Sequence, residues 1–106
     1  MRYLAATDGV IGSYIRRMSE ASSGMPRAEL RDLPSTRAVN EAIGELTIFA
    51  SVPINRQVAT MHGGLLKLSR LAAIAPMPDT PAGRKWETVK AAYYVTRAEI
   101  HRTRSP

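Results

Sequence analysis

Six apolar residues narrow what this chain can fold into. Ile54, Val58, Met61, Leu65, Leu68 and Ala72 recur at steps of 4, 3, 4, 3 and 4. That spacing lays one apolar stripe along a helix and demands a partner surface to cover it. A strand cannot use the period, because its side chains change face at every residue. Pro53 stands at the start of the run, and Pro76, Pro78 and Pro81 follow it, so the pattern predicts one helix over about residues 53–75. The phase continues through Gly63-Gly64, which favours a single helix, bent or weakened there, over two in unrelated orientations.

The flanking segments follow the same period. Val10, Ile11, Tyr14, Ile15 and Met18 share a face of a first helix. Thr7 or Asp8 caps it, unless it begins earlier, since Tyr3 and Leu4 continue the face; Gly24 suits the position just past its end. Pro26 opens a short helix to about Leu33. Ser35 or Thr36 caps the next, whose stripe is Val39, Ala42, Ile43, Leu46, Phe49 and Ala50. A loop over residues 75–83 precedes the last helix, with Thr80 as cap and Pro81 as first residue. Ala82, Trp86, Val89, Tyr93 and Ile100 form its inward face. No segment sustains a period of two. The expected class is all-α: a small helical bundle of three main helices plus one or two short ones, with residues 1–106 as a single all-helical domain. The stripes over 39–50 and 54–72 each need an apolar partner. A monomer can just supply both, and so can an intertwined homodimer.

Charge adds a second constraint. Residues 1–53 hold six arginines and six acids, whereas residues 54–106 hold nine cations and three acids, the whole of the net +6. Twelve of the 15 cations are arginine, the side chain suited to bidentate contacts with phosphate or carboxylate. Such asymmetry points to an acidic partner. The absence of cysteine excludes disulfide scaffolds, thiol catalysis and thiolate metal sites. No apolar run approaches the roughly 18 residues of a membrane span, and the first eight residues lack the apolar core of a signal peptide, so a cytoplasmic protein is expected.

Candidate chemistry is sparse. Glu41 and Glu45 share a helix face at i, i+4, but on the solvated side opposite the apolar stripe, where Arg37 can pair with Glu41. His62 and His101 are the only histidines, and neither has a second ligand at metal spacing. No phosphate-binding glycine loop or nucleophile elbow is present. No enzyme, cofactor or metal is therefore expected. The last helix carries the clearest surface signal: Lys90, Tyr94, Arg97, His101 and Arg104 form a cationic and aromatic stripe beside the apolar face, suited to a partner.

One segment resembles a helix-turn-helix. Val58-Ala59 followed by Gly63 matches the small residue that precedes a turn glycine by four, over roughly 20 residues. The resemblance implies DNA binding through a recognition helix bearing Lys67 and Arg70. His62 and Gly64 stand where the pattern expects apolar residues, and Ser69 where it expects Val or Ile. The leading expectation is a non-enzymatic basic helical protein docked on an acidic protein surface or a nucleic-acid-handling protein complex of bacterial or phage type, as its regulator or inhibitor. Direct DNA or RNA binding is the alternative.

Overall fold

The computed structural model describes residues 1–104. Among them are four α-helices and one short 3-10 turn: α1 (Arg2–Ser22), the turn at Arg27–Glu29, α2 (Arg37–Phe49), α3 (Val52–Ile74) and α4 (Pro81–Arg104). Three long helices with a shorter one and a single turn make the all-α bundle that the periodicities predict. No helix of the described residues is long and apolar enough to cross a membrane.

The α3 stripe is buried at every expected position, with Leu71 added. Ser51 caps this helix, its Oγ accepting from the Ile54 amide at 3.5 Å, and Pro53 lies in the first turn. Ala75 adopts φ 51°, and its amide donates to the Leu71 carbonyl, ending the helix. α3 passes through Gly63-Gly64 without interruption. A helix-turn-helix needs a turn there, so that geometry is not present in this chain.

α4 returns antiparallel to α3 through residues 75–80, a shorter loop than the expected 75–83. Thr80 caps it, its Oγ1 accepting from the Gly83 amide at 3.1 Å. Gly83 is required here: a Cβ would lie 2.1 Å from the Met77 carbonyl oxygen. Trp86, Tyr93 and Ile100 are buried against α3 and α1.

α1 begins at Arg2, earlier than a Thr7 or Asp8 cap would place it. Thr7 is fully buried and its hydroxyl donates to the Leu4 carbonyl within the helix, so it belongs to the core and caps nothing. At the other end Gly24, at φ +90°, closes a Schellman motif, with Gly24 N–H bonded to Ala21 O and Met25 N–H to Glu20 O. α1 runs parallel to α3, and the three long helices form the core.

Two expectations are corrected. The predicted helix from Pro26 to Leu33 contracts to the 3-10 turn, because side chains hold this segment: Leu30 is buried, Arg31 pairs with Glu20, and the Arg27 guanidinium reaches the Ala73 carbonyl of α3. In α2 only Val39 and Ala42 are buried; Ile43, Leu46 and Ala50 are half-buried and Phe49 is 84% exposed. This helix lies mainly along α1, so its stripe is covered on one edge only.

Candidate docking surface

The surface formed by α3 and α4 is assembled from cations that the bundle uses in different ways. On α4, Arg97 turns inward toward α1. Its Nε donates to Asp8 Oδ1 at 2.8 Å and its Nη2 to Asp8 Oδ2 at 2.6 Å, a bidentate pair that holds the guanidinium protonated more firmly. Lys90 lies 5.8 Å from the centre of the Trp86 ring and pairs with Glu87 at 3.1 Å. Tyr94 is exposed and meets Tyr93 edge to face at a centroid distance of 5.3 Å. His101 is exposed, and the side chain of Arg104 lies outside the described residues. Two cations of the expected α4 stripe, Lys90 and Arg97, are thus already paired within the fold.

Lys67 and Arg70 occupy the outward face of α3 together with Arg56. From Arg56 to Arg70 the face spans roughly 21 Å at 1.5 Å per residue. α3 contains three cations and no acid. Among the described residues of these two helices Arg56, Lys67 and Arg70 on α3 and Arg84, Lys85 and Arg102 on α4 are exposed and make no ion pair. Sequence reasoning singled out only Lys67 and Arg70; helical phase places Arg56 on their face of α3, whereas Lys85 belongs to another helix and carried no such signal.

Between α3 and α4 lies a cleft of about 220 Å³, with Thr60, Gly64 and Lys67 on one wall and Thr88, Ala92 and Thr96 on the other. Each of the three threonine hydroxyls donates to the carbonyl four residues earlier. Gly63 and Gly64 have nothing within 4 Å of where a Cβ would project, so a partner can approach the α3 backbone closely.

Below this surface sits a buried pair of tyrosines. The Tyr3 and Tyr93 hydroxyls have no hydrogen-bond partner, and burial pushes both phenols up, Tyr93 to about 12. His62 is half-buried, with Nδ1 buried and unpartnered. Glu41 and Glu45 are exposed and pair with Arg37 and Arg2. Among the described residues no group of three or more His, Asp or Glu side chains is placed to hold a metal ion.

One arginine that the sequence did not mark is structural. Arg17, half-buried on α1, donates from Nε to the Ala72 carbonyl at 2.7 Å, from Nη2 to the Ala73 carbonyl at 3.3 Å and from Nη1 to the Arg31 carbonyl. It places a cation on the C-terminal end of α3, where the last carbonyls lack partners within the helix.

No known protein-family model, curated protein or solved structure matches this chain.

Proposed function

We propose that the chain is a non-enzymatic docking protein whose α3/α4 face engages an acidic surface of a protein partner. The observation that carries this reading is the excess of positive charge on α3 and α4: among the described residues Arg56, Lys67, Arg70, Arg84, Lys85 and Arg102 are exposed without ion-pair partners, against a single unpaired acid on these two helices, Glu99. Apolar side chains favour a protein over a bare phosphate backbone. Leu66, next to Lys67 on α3, and Val95 on α4 are exposed, and apolar side chains of this kind bury against a protein surface more readily than against phosphates. Occupying an acidic surface of a nucleic-acid-handling complex would let so small a chain regulate or inhibit it, and this is the role we infer.

Direct binding to DNA or RNA is the second reading, favoured by the row Arg56, Lys67 and Arg70 beside the exposed Gly63. Titration of a labelled random duplex, a single strand and an acidic polypeptide, at about 0.05 and 0.2 M salt, separates the two. A protein-directed face binds the acidic polypeptide and neither nucleic acid, and Lys67→Ala, Arg70→Ala and Lys85→Ala together weaken binding about tenfold or more. Tight duplex binding that falls with a log–log salt slope near −0.9 per phosphate contact transfers the function to nucleic acid. If the triple variant binds the acidic polypeptide as the wild type does, the α3/α4 face is not the docking surface.

A further inference from the structure

The outward face of α3 repeats the period of its buried stripe. Arg56, Ala59, Gly63, Leu66 and Arg70 are all exposed and stand at steps of 3, 4, 3 and 4. Residues on that spacing form a second seam along the helix, opposite the one that packs the core, and a heptad period is the one a partner helix follows. The seam is charged at its ends and bare in the middle. Arg56 and Arg70 each stand seven residues from Gly63, about 10 Å along the axis and on nearly the same line of the helix. Lys67 flanks the seam four residues beyond Gly63. None of these cations makes an ion pair, and α3 has no acid to offer one.

We infer that this seam receives an amphipathic α-helix of the partner, which carries two carboxylates fourteen residues apart and a large apolar side chain midway between them. The inference rests on the reading of the α3/α4 face as the dock for an acidic protein, and names what that protein presents. Charge complementarity fixes the ends. Carboxylates seven residues to either side of a central position come opposite Arg56 and Arg70 whichever way the partner helix runs. Size fixes the centre. A Cβ on Gly63 would meet nothing within 4 Å, so a bulky apolar residue of the partner fills the gap, with the exposed Ala59 and Leu66 beside it. Lys67 meets an acid on the flank of the same helix, as edge charges do in coiled coils. A second copy of the chain is the wrong occupant. In a parallel pair Arg56 faces Arg56, and in an antiparallel pair centred on Gly63 it faces Arg70, so like charges meet at both ends of the seam. Nucleic acid satisfies the cations but leaves Leu66 without an apolar surface to cover it.

Fluorescence anisotropy of labelled probes titrated with the full chain tests the inference. One peptide, as long as α3, carries glutamates fourteen residues apart with leucine midway. A second has the same composition and helix content, with both glutamates moved to the opposite face. Polyglutamate and a random DNA duplex complete the set. The first peptide should bind about tenfold or more tighter than the second, since two charge pairs and one apolar contact separate them. Arg56→Glu with Arg70→Glu should lose that peptide and gain one in which lysines replace its glutamates. Helix content of the variant should match the wild type, because both arginines are exposed. Equal affinity for the two glutamate peptides overturns the helical partner while leaving the acidic dock in place. Undiminished binding of the first peptide by the reversed variant removes the contact from this seam. Binding to none of the acidic probes, or to the duplex in preference to them, overturns both this inference and the reading beneath it.

Discussion

Arg17 offers the sharpest test of how the bundle is held together. Arg17→Met keeps a stem of comparable length while removing every donor, so the change isolates the bonds to Ala72, Ala73 and Arg31. A hydrogen bond from a charged group is worth ~1.5–3 kcal/mol, and a cation at a helix C-terminus adds ~0.3–1 kcal/mol. Two features reduce the loss. Arg17 is half-buried, so water reaches part of the site, and the Ala73 carbonyl retains the Arg27 guanidinium at 3.2 Å. The expected cost is about 2 kcal/mol, or a fall of roughly 10 °C in Tm for a domain of this size. Arg17→Lys, which keeps the charge but not the planar fork, should fall between the two. Arg17→Met combined with Arg27→Met should cost more than the sum of the single changes, because the Ala73 carbonyl then loses both donors. Urea denaturation followed by circular dichroism measures all four variants. An Arg17→Met protein within about 0.5 kcal/mol of the wild type would refute the view that α1 caps α3 through this guanidinium.

Two further outcomes follow from the loop and the buried phenols. Gly83→Ala places a methyl group against the backbone of Met77 and Pro78, which cannot move aside as a flexible side chain would; a loss of about 2–3 kcal/mol is expected in thermal unfolding, and an unchanged Tm would show that the loop yields freely. The alkaline limb reports the tyrosines. Unfolded tyrosine ionises near pH 10.0, whereas Tyr93 in the fold holds its proton to about pH 12 and Tyr3 is raised as well, so between these values the unfolded state binds fewer protons and stability falls as pH rises. Tyr93→Phe removes one of these titrations and should flatten the stability curve between pH 10 and 12; matching slopes for wild type and variant would sink the assignment.

The long helices were readable because their signal is periodic and local. The α3 stripe, the Thr80 cap with Pro81 behind it, and Gly24 past the end of α1 each act through residues within a turn or two, so neighbours in sequence suffice to identify them. What escaped the sequence depends on distance. Phe49 is in phase with the α2 stripe, yet it overshoots the end of α1 and finds nothing above it. Arg97 belongs to a cationic stripe by its spacing, but Asp8 lies 89 residues away and takes it. Arg17 reads as one more surface charge, since its acceptors are backbone carbonyls on a helix 55 residues further on. The helix-turn-helix resemblance failed for a physical reason: a glycine pair permits a turn but does not force one, and the apolar stripe on both sides keeps the helix in register.

The thin burial of α2 divides the molecule into parts of unequal permanence. Only Val39 and Ala42 of its side chains are fully enclosed, whereas α3 encloses seven. Amide protons report such differences, because an element exchanges through the cheapest opening available to it. α2 is therefore the helix whose amides open to solvent while α1, α3 and α4 stay closed. Its protection also registers whatever rests on its outer edge, so a contact at the α2–α3 corner would slow exchange there long before it altered the rest of the bundle.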